Sequence, residues 1–354
     1  MPPSAPRRLL AGFIVFSLAV IATGAGTVRS GAAHPTPTLS YARAVTDPPN
    51  ATVHRSMLSA ITWRGGPIVT STGETVTVFV SDSLPTVTPE QWAEFLVHLD
   101  HGPEISKVVV HIATLDEVQE ICGARALGCY GDDQLISIGE TQIDGTTPDE
   151  VVRHEYGHHI AFNRSNPPWS AIDWGPKFWA SAVGVCTRVR HGSAFPGDES
   201  LHYDQNPGEA WAETYRVLEE RKAGIPNSSW QIVSSTFLPN EASLAAALRD
   251  VTRPWSAGTT TTYRTRFTKK GKKVWLVQVQ TSLDGNVSLK ASIPRGGLYD
   301  VALLAPNRRT VVSHTVSSGG TARLVAGACG QRSLYLRVTD RAGTGRVAVT
   351  VSTP

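Results

Sequence analysis

Apolar positions in the first two-thirds of the chain switch between a period of two and a period near 3.6. Thr75 to Val80 reads Thr-Val-Thr-Val-Phe-Val, a β-branched alternation that predicts a strand. Thr88, Pro89 and Gln91 supply a cap, a first-turn proline and the capping-box position of a helix carrying Trp92, Phe95, Leu96 and Leu99. Lys107 to Ile112 and Leu135 to Ile138 predict two further strands. The second could form a sheet edge on which an extended peptide lies, or stand inside the sheet. Thr147, Pro148 and Glu150 open another helix, which runs to about Phe162 and docks through Val151, Val152, Ile160 and Phe162. Asn166-Pro167-Pro168 halts the chain soon after. Helices are also expected over Lys177 to Val185 and from Asn206 to Ala223, the latter closed by Gly224 and Pro226. Strands with interposed helices predict an α+β fold.

Beyond Gly258 short β-rich runs alternate with turns: Lys273 to Gln280, Val287 to Ile293, Val301 to Leu304, Thr310 to His314, Ala322 to Val325, Leu334 to Val338 and Arg346 to Val351. Seven or eight strands so closely spaced predict an all-β sandwich. The chain therefore divides into an α+β domain over 61–256 and a β-sandwich over 257–354.

The N-terminus has a different character. Arg7 and Arg8 precede an apolar run from Leu9 to about Ala22, then Gly24, Ala25 and Gly26. That order predicts an export signal over 1–28, with an uncleaved outward-facing membrane anchor as the alternative. Residues 29–60, rich in Pro, Thr, Ala and Gly, read as a flexible leader or spacer. An exported protein can hold disulfides, and its four cysteines are even in number. Cys122 and Cys129 bracket a short loop and form the first expected pair; Cys186 and Cys329 follow by elimination. A net charge of +3, with no long single-sign run, does not point to a nucleic-acid partner.

The chemistry sits at His154-Glu155-Tyr156-Gly157-His158. Two histidines four apart stand one turn above each other on one helix face and can hold one metal ion. Glu155 can then act as a general base toward water without being a ligand. A catalytic zinc needs a third protein ligand and an open position. A histidine six residues past His158 is excluded, because Arg164 stands there. Glu209 is the candidate, although its spacing from Asn206 also suits a helix-capping role. His191, Asp198, Glu199 and His202 are the other candidates. His159 is expected to pack or to support the site from behind.

The phrase Tyr203-Asp204-Gln205-Asn206-Pro207-Gly208-Glu209-Ala210-Trp211-Ala212-Glu213, with the His-Glu-x-x-His segment, resembles the gluzincin metallopeptidases, and most of all their lethal-factor-type branch. The resemblance implies a zincin-like catalytic domain with one Zn2+ on His154, His158 and Glu209. It implies that Glu213 accepts a hydrogen bond from a ligand histidine and that Tyr203, or His202 beside it, stabilises the oxyanion. Tyr299-Asp300-Val301, Leu334 to Val338 and Gly345 to Val351 resemble the prepeptidase C-terminal sandwich modules of secreted peptidases. These residues and resemblances lead to the expectation of a secreted zinc peptidase acting on protein or peptide, with no stable membrane insertion once the signal is removed. Its sandwich would serve contact with a cell surface or polymer. The alternative is a secreted, non-catalytic binding protein built on the same domain.

Overall fold

The computed structural model describes residues 53–354 apart from 141, 144 and 227–231. The expected signal segment and most of the expected spacer lie outside the described residues.

The α+β half is built on a five-stranded sheet of order β1-β2-β3-β5-β4, formed by β1 (Trp63–Val69), β2 (Thr75–Ser81), β3 (Val109–Ala113), β4 (Gly128–Gly131) and β5 (Gln134–Ile138). Strands β2, β3 and β5 are parallel, while β1 and β4 run antiparallel to their neighbours. The period-two pattern of β2 buries Val76, Val78 and Val80. Strand β5 lies between β3 and β4, the internal one of the two placements that its sequence left open. The Cys122–Cys129 disulfide closes a short loop, and the chain returns through β4 to cover that side of β5.

Nine helices are described: α1 (Arg55–Leu58), α2 (Pro89–Val97), α3 (Leu115–Cys122), α4 (Pro148–Phe162), α5 (Ala171–Trp174), α6 (Lys177–Val183), α7 (Val185–Arg190), α8 (Pro207–Lys222) and α9 (Glu241–Thr252). The main apolar cluster joins Val78, Val110 and Leu135 of the sheet to Leu96 of α2, Val152, Tyr156 and Ile160 of α4, and Trp211 and Tyr215 of α8. A second cluster gathers Val118 and Ile121 of α3 with Ile136, Ile138 and Val151. Met57 and Leu58 pack against this cluster, so the chain is already docked before residue 60, where the spacer was expected to end. The helix expected over Lys177 to Val185 breaks at Gly184, whose φ of +72° lies in the left-handed region that glycine tolerates.

The sandwich has eight strands: β6 (Thr259–Phe267), β7 (Val274–Gln280), β8 (Gly285–Ile293), β9 (Leu298–Leu304), β10 (Val311–Ser317), β11 (Gly320–Ala328), β12 (Ser333–Ala342) and β13 (Gly345–Thr353). They form two four-stranded sheets, of order β10-β9-β12-β7 and β11-β8-β13-β6. Alternate residues Val287, Leu289, Ala291 and Ile293 of β8 point inward and meet Val301, Leu303, Leu336 and Val338 from the other sheet. The Cys186–Cys329 bridge ties α7 to the chain just after β11. Beside it, Ser181 accepts from Arg332 through its carbonyl at 3.1 Å, and its hydroxyl accepts the Asp284 N–H at 3.0 Å.

Candidate metal centre

Helix α4 starts where its sequence says it should: the Glu150 carboxylate accepts the Thr147 N–H at 2.7 Å. It is buried along nearly its whole length, His154, Glu155 and His158 included. Burying imidazoles and carboxylates costs free energy unless they are paired or hold an ion, so this face of α4 answers to something beyond packing. Helix α8 lies across it. A Cβ on Gly157 would stand 2.8 Å from Ala212 Cα, so the contact needs glycine at that position. The close crossing brings the first turn of α8 to the histidines.

Glu209 lies in that first turn and does not cap its helix. Asn206 does so, accepting the Gly208 N–H at 3.0 Å, while the Asn206 N–H goes to the Tyr203 carbonyl. The Glu209 carboxylate turns inward. Its Oε2 is 3.2 Å from His154 Nε2, its Oε1 is 3.3 Å from His158 Nε2, and the two Nε2 atoms are 3.2 Å apart. His154, His158 and Glu209 thus form a buried group that could hold a metal ion.

Electrostatics around the three donors are strongly coupled. Burial disfavours the charged form of His154, but Glu209 and Glu213 overcome it and hold the imidazole up to about 9. Burial likewise opposes charge on Glu209, yet His158 and His154 hold its carboxyl well below the usual carboxylate range. Glu155 differs: burial pushes its carboxyl up to about 8, with His154 acting the other way. Neither Glu155 oxygen has a hydrogen-bond partner among the described residues. The site is also fitted tightly around it, since a Cβ on Gly128 would come within 2.9 Å of Glu155 Oε1.

The remaining expected residues divide. Tyr203 reaches the centre, its hydroxyl donating to Glu209 Oε2 at 2.6 Å. Its neighbour His202 bonds Asp198 at 2.7 Å and stacks on Phe195, and no described contact joins it to the triad. Glu213 Oε2 stands 3.8 Å from His154 Nδ1, too far for a hydrogen bond. It is held instead by the guanidinium of Arg216, at 2.5 and 2.9 Å. His159 is buried and bridges the Glu104 carbonyl at 2.8 Å and the Tyr130 hydroxyl at 3.1 Å. His191 ends α7 and is exposed.

Glu199 belongs to the site in a way its sequence did not disclose. With His158, Glu209, Tyr130 and Asp132 it lines a cleft of about 260 Å³. Burial, followed by the nearby Glu209 charge, pushes its carboxyl up to about 9. Asn206 Nδ2 donates to its Oε1 at 2.5 Å. Tyr130 and Gly131 of edge strand β4 also line the cleft. Glu199 stands in the loop ahead of α8, where no helical or strand spacing singles it out from Asp198 in the sequence.

No family model matches the chain, and comparison with curated proteins finds no match either. Among solved structures, the pre-peptidase C-terminal domain of a Bacillus anthracis collagenase is weakly similar: 16% identity over 26% of this chain and 88% of that one, with a TM-score of 0.22. A carbohydrate-binding module of Cellvibrio mixtus lichenase 5A, solved with cellotriose, gives 11% identity over 28% and 92%, with a TM-score of 0.17. Legionella pneumophila aminopeptidase A gives 9% over 77% and 36%, with a TM-score of 0.22. At these scores the likenesses carry no argument about what the chain does.

Proposed function

We propose that the protein is a secreted zinc-dependent peptidase whose zincin-like domain holds one Zn2+ on His154, His158 and Glu209. The observation that carries this reading is the convergence of the three buried donors beside the buried Glu155 carboxylate, which has no hydrogen-bond partner among the described residues. Tetrahedral donors about 2.0–2.1 Å from zinc stand roughly 3.3–3.4 Å from one another; the two Nε2 atoms here are 3.2 Å apart, with one Glu209 oxygen 3.2 Å from His154 and the other 3.3 Å from His158. Two imidazoles and one carboxylate are also a donor set that zinc favours. Zinc bound there would polarise a carbonyl and lower the pKa of water toward ~7.

The chain's own residues supply the rest. Glu155 takes the proton of the attacking water and passes it to the departing amine; positive charge at the triad favours the anionic form that this requires. The Tyr203 hydroxyl, beside Glu209, donates to the carbonyl oxygen as charge develops on it. Edge strand β4, whose Tyr130 and Gly131 line the cleft, offers backbone groups to an extended substrate. Two disulfides fit an oxidising, extracellular setting. No helix among the described residues is long and apolar enough to cross a membrane.

Metal analysis and casein digestion on wild type, chelated protein and Glu155→Gln test the reading together. The expected result is one zinc per chain, no digestion after chelation, and a Glu155→Gln variant that keeps its zinc while digestion falls about 10²- to 10⁴-fold. Equal digestion by all three samples would overturn it. Zinc retained with no hydrolysis of any peptide by wild type would favour a non-catalytic binding protein.

A further inference from the structure

The whole-chain charge of +3 conceals an asymmetry. Residues 257–354 contain fifteen Lys and Arg, three Asp and no Glu. All three acids are engaged within the sandwich: Asp284 with Arg332 at 2.6 Å, Asp300 with Arg341 at 3.0 Å and Asp340 with Lys273 at 2.7 Å. None is left for the outer face of the β11-β8-β13-β6 sheet. There the strand alternation that turns Leu289, Val349 and Leu324 inward turns Lys290, Arg323, Arg264, Arg266 and Arg346 outward, all exposed. No ion pair of these five is found among the described residues. The turn after β6 adds exposed Lys269, Lys270 and Lys272 at the same end as Arg266.

Strand register also sets like charges against each other. Arg266 stands directly opposite Arg346, and Lys290 directly opposite Arg323. Like charges in direct cross-strand positions destabilise a sheet, and no acidic side chain of the sandwich is placed to offset them. An external anion would. Many of the remaining outward positions carry hydroxyls, with Thr260 bonded to Ser352 and Thr262 to Thr350, both at 3.1 Å.

We propose that this face docks an anionic polysaccharide. Arg and Lys would bind its carboxylates or sulfates, Arg as a bidentate fork, and the hydroxyl rows would bond the sugar hydroxyls between them. The face carries no aromatic side chain on which nucleic-acid bases could stack. Its only large exposed apolar residue, Val325, makes a poor anchor in a lipid surface. The surface uses no residue of the metal centre.

The test is binding of the purified protein to immobilised polygalacturonate and dextran sulfate, with neutral dextran, duplex DNA and phosphatidylserine vesicles as the other arms. Binding to both acidic glycans and not to neutral dextran, weakening as salt rises, is expected. Arg266→Thr/Arg323→Thr removes one member of each like-charge pair. It should bind the acidic glycans at least about tenfold more weakly while melting no lower than wild type. Arg308→Asn/Arg309→Asn removes the same charge from the turn between β9 and β10, and should weaken binding by less than about twofold. Equal weakening by both variants, absence of glycan binding at low salt, or tighter binding to DNA or vesicles than to acidic glycan would overturn the proposal.

Discussion

Trp211 donates its indole N–H to the carbonyl of Gly157 at 2.7 Å, fastening α8 to α4 one residue from His158 and two from Glu209. The donor triad is therefore only as well aligned as this helix contact. An added Cβ at Gly157 would meet Ala212 backbone, so Gly157→Val must push the helices apart. We expect it to lose about 1–3 kcal/mol by overpacking and to lose bound metal with it. Urea unfolding and metal analysis check this; a variant as stable and as metal-rich as wild type would mean that the crossing is not what aligns the triad.

Arg216 lies between Glu213 and Glu220, all three buried. Removing the guanidinium leaves two desolvated carboxylates behind it. Arg216→Met should cost about 3–5 kcal/mol, readable as a lower urea midpoint. Arg216→Met/Glu213→Gln/Glu220→Gln should recover part of that loss, because the stranded charges are gone.

Metal content separates the two neighbours Glu209 and Tyr203. Glu209→Ala should abolish stoichiometric binding, since it deletes a donor. Tyr203→Phe should keep the metal and lower kcat by about 10- to 10³-fold with little change in KM. Unchanged kcat in Tyr203→Phe would assign that hydroxyl to holding Glu209 alone.

Acid–base behaviour gives a prediction away from the site. Burial, reinforced by Asp100, pushes the Glu219 carboxyl up to about 7. A raised folded-state pKa means that the native state binds the proton more tightly than the unfolded chain. The associated stability is full below about 4.5, the ordinary value, and is lost as pH rises through about 7. Glu219→Gln should therefore melt near wild type at pH 5 and above it at pH 8.5. No pH dependence in that difference would contradict the assignment.

How much of this was legible beforehand depends on whether local chemistry or tertiary pairing decides. The cap at Thr147, the four-residue histidine spacing and the α8 stop at Gly224 are local, and the structure reproduces those elements. The position of β5 inside the sheet is not: whether a five-residue strand is internal depends on β4 returning past it. Strand β6 was hidden because its run of threonines reads as linker until β13 is paired against it. The turn just before α8 brings Tyr203 to Glu209, whereas His202 is drawn away by Asp198 and Phe195, a preference that spacing cannot express. Glu199 stood in the sequence only as one of four rival ligands; its place in the cleft rests on Asn206 and on burial, which spacing does not express.

The Cys186–Cys329 bridge spans 143 positions of chain and connects the helical half to the sandwich. Its loss through Cys186→Ser/Cys329→Ser should cost about 2–5 kcal/mol. The bridge also decides what a chain break would do. Residues 253–258 are largely exposed and lie between α9 and β6, where an extracellular protease could cut. Both fragments would then stay fastened by sulfur, migrating as one species without reductant and as two with it, and the nicked protein would keep its cleft and its basic face in a single particle.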